Sequence, residues 1–135
     1  MRKNSHANEF AADTMALVLR LEKRKMGKEA KSIFEMAEEG DTTIFVPAIV
    51  LAEVMYLSEK GRIECSLKAF EEYARCFPKI RAASLNAKTL SAASSITDIP
   101  ELHDRLIAAT ARQLKCPLLT NDPIIQASKF VSCLW

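Results

Sequence analysis

Short apolar segments alternate with helix-forming stretches along this chain, and that alternation limits its fold more than any other feature. Thr43-Ile44-Phe45-Val46 is β-branched and aromatic and reads as a strand. Residues 10–12, 80–85, 116–120 and 130–135 are shorter or weaker candidates of the same kind. Helical spacing of apolar residues marks 15–21, 28–39, 48–57, 64–77, 86–94, 102–114 and 123–129. Gly40 is placed to end the second helix, Pro47 to begin the third and Pro78 to close the fourth. The order β-α-α-β-α-α-β-α-α-β-α-β implies strands joined by helical crossovers, hence a parallel sheet covered on both faces. The expected class is α/β: a three-layer α/β/α sandwich around a central, mainly parallel sheet.

Within that plan, the helix at 48–57 is apolar almost all round and should be buried. Leu90 and Ala93 should face inward, and Leu67, Phe70, Tyr73, Ala74 and Phe77 form one stripe of the helix at 64–77. With 135 residues the chain reads as one domain, 1–135. Its polar start, residues 1–8, is expected to be a flexible arm carrying a solvated His6. The formal net charge of +2 is too close to balance to point to a polyanion partner. The basic run Lys23-Arg24-Lys25, continued by Lys28 and Lys31, reads either as a solvated face or as phosphate contacts at the mouth of a site. Cys65, Cys76, Cys116 and Cys133 have no metal-ligand spacing and suit a reducing compartment. No secretory signal is visible and no apolar run approaches the ~20 residues that span a bilayer, so the cytoplasm is the expected location.

Four acids stand at strand ends or in the adjoining helix turns: Asp13, Glu53, Asp104 and Asp122. Asp13-Thr14 follows a strand, and either residue can cap the next helix. Asp122 precedes Pro123 and can also cap. Asp104, in a first helical turn, can offset the partial positive charge there. Glu53 has no such use. It is the single charge of its helix and points between Ile49 and Leu57. A buried, unpaired carboxylate needs an arginine, a metal or a proton. Sites of open parallel sheets lie outside the carboxyl ends of the strands, and all four acids fall on that edge. Capping and ligation of one divalent cation both remain open for the set.

Four pieces of the chain resemble the PIN-domain ribonucleases, especially the VapC-type toxins of toxin–antitoxin pairs. They are Phe10-Ala11-Ala12-Asp13-Thr14, the stretch from Val46 to Glu53, the stretch from His103 to Ala111, and Leu118-Leu119-Thr120-Asn121-Asp122. Each is short, but their order and separations fit across nearly the whole domain, and Trp135 after a short apolar strand also agrees. The resemblance implies a Mg²⁺- or Mn²⁺-dependent endoribonuclease. The family's acidic quartet falls on Asp13, Glu53, Asp104 and Asp122, and the polar residue of its last motif on Thr120. Thr14 would support the site, and Arg105 would touch phosphate or pair with a neighbouring acid. Hard cations take oxygen ligands. Asp13 and Asp104 would be the nearest ligands, with Glu53 and Asp122 acting directly or through water. An RNA substrate, an antitoxin protein and a homodimer are the implied partners; a membrane is not.

Other classes fit less well. A haloacid-dehalogenase-type phosphatase would want a second Asp at position 15, which is Met15. A receiver domain would want paired early acids and a Lys after a late strand, where Thr120-Asn121-Asp122 offers none. A stand-alone RNA-processing nuclease of the same family remains an alternative. So does a non-catalytic binding module in which the acids are caps and ion pairs.

Overall fold

Thr43–Pro47 extends as expected of its β-branched residues, and four more strands align beside it. The computed structural model describes residues 8–135, so all but the last residue of the expected arm, His6 included, lies outside the described residues. In chain order the elements are β1 (Glu9–Ala12), α1 (Thr14–Leu21), α2 (Lys28–Glu38), β2 (Thr43–Pro47), α3 (Ala48–Glu59) and α4 (Leu67–Cys76). Then follow β3 (Ile80–Ala83), α5 (Ala87–Ser94), α6 (Leu102–Leu114), β4 (Leu118–Leu119), α7 (Pro123–Gln126) and β5 (Cys133–Leu134). The strands form one sheet in the order β3-β2-β1-β4-β5, every pairing parallel. Helices cover both faces, giving the α/β/α sandwich that the alternation implies.

β1 lies at the centre, with Phe10 against Ile44 of β2 on one side and Ala12 against Leu119 of β4 on the other. Ala11 and Ala12 are fully buried, small because helices close on both faces of the strand. The core gathers Phe34, Leu17, Ile44, Val46, Ile107 and Leu118 around it. Since all strands run the same way, their carboxyl ends meet at one edge. Asp13 follows β1, and its N–H donates to Leu119 O at 3.1 Å, so the chain turns into α1 while still tied to β4. Among the described residues, no helix is long and apolar enough to cross a membrane.

Several expectations are corrected. α3 is not buried all round: only Val50 and Val54 are buried, while Met55 and Tyr56 are exposed. Its apolar character is spread round the helix, so the sequence marks no inner side. Leu90 faces outward, because α5 turns Thr89 and Ala93 inward, and the Thr89 hydroxyl bonds Gln113 of α6. The fourth helix starts at Leu67, three residues later than its stripe suggests, capped by the Ser66 hydroxyl. The last helix stops at Gln126, and residues 128 and 129 turn away to bond the Asp98 carboxylate. Gly40 does end α2, at φ +88°. Cys65 and Cys116 are buried, Cys133 is half-buried and Cys76 is exposed; all four are free thiols.

Candidate active site

Asp13 is the N-cap of α1, accepting the Ala16 N–H at 2.8 Å, and it is 93% buried at the end of the central strand (7% exposed). Burial raises its pKa above the ordinary carboxylate value, and the charges of Asp122 and Glu53 add to that. The Thr120 hydroxyl and the Ala16 N–H pull the other way. Next to it, the Thr14 hydroxyl donates to Glu53 across 39 residues of sequence. This bond joins the first turn of α1 to the middle of α3.

Glu53 is therefore neither fully buried nor unpartnered. Its second oxygen lies 3.2 Å from His103 Nδ1, at the start of α6. Asp104 follows His103 and is half-buried. Its pKa is pushed up to about 6, first by burial and then by the charges of Glu101, Asp122, Glu53 and Asp13. Asp122 caps α7, one carboxylate oxygen accepting both Ile124 N–H at 2.9 Å and Ile125 N–H at 3.0 Å. The fully buried Thr120 hydroxyl in turn accepts the Asp122 N–H at 3.0 Å. Capping and convergence thus coexist. Two of the four acids cap helices, and all four line one cleft of about 390 Å³, with Thr14 and Asn121 between them.

Arg105 does something else. Its Nε donates to Ile99 O at 2.9 Å and its Nη2 to Pro100 O at 3.3 Å, so it clamps the loop that enters α6 and forms no ion pair among the described residues. Neither partner of Arg105 is an acid, so the pairing with a neighbouring acid is not formed among the described residues. Sequence reasoning missed Glu101, whose carboxylate caps α6 through the Asp104 N–H at 2.8 Å. Glutamate is an uncommon cap, so no spacing rule finds it. It also missed His103, whose signal was adjacency to an expected ligand, and the apolar wall of Met15, Leu19 and Trp135.

The donor set is all oxygen, which suits a hard divalent cation such as Mg²⁺ or Mn²⁺. Among the described residues, no three His, Cys, Asp or Glu side chains stand close enough to ligate one ion directly. The acids turn instead to backbone N–H, hydroxyl and imidazole partners. Mg²⁺ keeps several of its waters, so carboxylates at this spacing fit a partly hydrated ion.

A family model described as PIN domain matches residues 11–130. No curated protein matches the sequence. Among solved structures, a chain of Rickettsia felis VapBC2, bound to a promoter DNA fragment, superposes with a TM-score of 0.72 at 19% identity. The match covers 94% of this chain and 98% of that one. A chain of DNA-bound VapBC from Salmonella typhimurium gives 0.67 at 14% identity, covering 93% and 96%. FitAcB from Neisseria gonorrhoeae gives 0.65 at 16%, covering 93% and 96%. At these identities the likeness is one of fold.

Proposed function

The chain belongs to the PIN domain family, and from that premise we propose that it is a Mg²⁺- or Mn²⁺-dependent endoribonuclease, the toxin of a toxin–antitoxin pair. The observation that carries this is the meeting of Asp13, Glu53, Asp104 and Asp122, distant in sequence, on one cleft at the carboxyl edge of the sheet. Asp13 and Asp104 would hold the ion most closely, with Glu53 and Asp122 reaching it through water. When bound, the ion would lower the pKa of a water and offset charge on the reacting phosphate. Thr14 and His103 hold Glu53 from two sides, so its carboxylate is oriented to take a proton from the attacking water. Thr120 fixes the turn that presents Asp122. Hydroxide adds to phosphorus, the P–O3′ bond breaks, and the proton passes to the leaving O3′. The products are a 5′-phosphate and a 3′-hydroxyl, and the 2′-hydroxyl takes no part.

The toxin role is supported by likeness in fold to a chain of a toxin–antitoxin complex from Klebsiella pneumoniae, with a TM-score of 0.64 at 16% identity. A gene for a small DNA-binding antitoxin beside this one would separate a toxin from a stand-alone RNA-processing nuclease. We place the protein in the cytoplasm as a homodimer, the exposed Met55 and Tyr56 of α3 being apolar side chains that a second copy could cover. Sedimentation would test that. The activity is tested by cleavage of single-stranded RNA with Mg²⁺, with Mn²⁺ and with EDTA, comparing wild type and Asp104→Asn. Cleavage by the wild type alone, and only with metal, is the expected result. Equal metal-dependent cleavage by both proteins would reject it.

A further inference from the structure

The four carboxylates create a difficulty for any nucleic-acid substrate, because they repel the phosphates they are meant to act upon. Affinity must come from groups beside them. Trp135 lines the acid cleft, and it lies directly against Gly27. A Cβ at Gly27 would come within 2.6 Å of the indole Cδ1 and 2.8 Å of Cγ. The neighbours of Gly27 on both sides, Met26 and Lys28, line a second and larger groove of about 990 Å³ between α1, α2 and α4. Leu19 lines both hollows. Leu19 and the contact of Trp135 with Gly27 thus set the two hollows side by side.

The groove has an apolar floor with Tyr73 and Phe77, and a basic rim. Arg20 is paired with Glu38 at 2.7 Å and Arg24 with Glu22 at 3.2 Å. Lys23, Lys25, Lys28 and Lys31 form no ion pair among the described residues, and Glu72 is the one other acid lining the groove. The charge therefore reverses from negative to positive between two adjoining hollows, with an aromatic ring on the acid side of their border. A strand that places one phosphate among metal-binding carboxylates can lay the next phosphates on lysines, and an unpaired base can stack on the ring.

We propose that the two adjoining hollows together form a single-stranded RNA track, with a nucleobase beside the scissile phosphate stacked on Trp135 and the following phosphates held by Lys25, Lys28 and Lys31. The track rests on the nuclease reading for its polarity toward the acid cleft. Base–aromatic stacking is worth about 1–3 kcal/mol and tolerates any sequence, and it requires a base free of its complement.

Trp135 is the chain's single tryptophan, so its emission reports the border directly. The full-length Asp104→Asn protein, which is expected to leave the strand intact, is titrated with an oligouridylate of about eight nucleotides, a length within the usual range for such tracks. The same titration is run with a blunt RNA duplex and with oligoglutamate. The expected result is saturable quenching by the single strand, weaker with the duplex and absent with oligoglutamate. Replacing Lys25, Lys28 and Lys31 by Ala should weaken binding at least tenfold. It should also flatten the log–log salt slope by about 2, the share of three phosphate contacts on a single strand. These lysines are exposed, so folding should survive the change. An unchanged emission, an unchanged salt slope, or preference for oligoglutamate would overturn the track. Quenching by RNA that wild type never cleaves would support the track and reject the nuclease. Cleavage without any change at Trp135 would reject the track alone.

Discussion

Replacing Asp104 by Asn should stabilise the metal-free protein while abolishing its activity. Asp104 has no hydrogen-bond donor to lose among the described residues, and its pKa stands at about 6 rather than the ordinary 3.8 because of burial and four neighbouring acids. The folded protein therefore takes up a proton more readily than the unfolded chain between about pH 4 and pH 6. Stability falls as pH rises through that window. The full displacement would correspond to about 3 kcal/mol. Solvent screening at this half-exposed carboxyl cuts that to about 1 kcal/mol. Unfolding entropy of ~2.1 cal/mol/K per residue gives about 0.28 kcal/mol/K for this chain, so the neutral amide should raise Tm by about 3–4 °C near neutral pH. The assay is thermal unfolding in EDTA across the pH range. The difference should narrow as pH falls toward 4 and close below it, where the carboxyl is neutral in the folded and unfolded chain alike. Added Mg²⁺ should reverse the order, since an ion that binds only the wild-type fold stabilises it by mass action. A variant equal to or less stable than wild type near neutral pH in EDTA would refute the repulsion reasoning.

Thr120→Val should destabilise by about 1–3 kcal/mol in urea, because it strands the Asp122 N–H that the buried hydroxyl now accepts; Thr120→Ser should restore most of the loss. Gly27→Ala should lose about 1–3 kcal/mol by driving a methyl into Trp135, with a shift in tryptophan emission as the second readout. Arg105→Ala should lower kcat more than it raises KM, since it frees the Ile99 and Pro100 carbonyls and loosens the entry to α6 without touching substrate. A larger change in KM would mark Arg105 as a phosphate contact after all.

The layer order was legible because parallel crossovers leave a periodic trace, and the five strands and seven helices appear in the predicted sequence. Strand lengths were not. β4 and β5 pair over two residues each, Leu118–Leu119 with Cys133–Leu134, and no local propensity sets where a ladder stops. Helix orientation was only partly legible. α3 is apolar on all sides, so nothing in it distinguishes the inward Val50 and Val54 from the outward Met55 and Tyr56. Leu90 was misjudged because α5 turns the polar Thr89 inward to bond Gln113. Of the site, the acids were visible because carboxylates at strand ends lack a packing role. Glu101 was hidden because glutamate is an uncommon cap, and His103 because its partner Glu53 reaches it only through tertiary folding. Trp135 was seen as an end-of-chain feature, and its place in the cleft depends on contact with Gly27.

Electron paramagnetic resonance of Mn²⁺ reports most directly whether these four acids serve one cation. Titrated with wild-type protein at neutral pH, the free-ion signal should fall to saturation, return on adding excess Mg²⁺, and persist when Asp104→Asn replaces the wild type. A signal suppressed equally by both proteins, or by neither, would contradict the shared cation site.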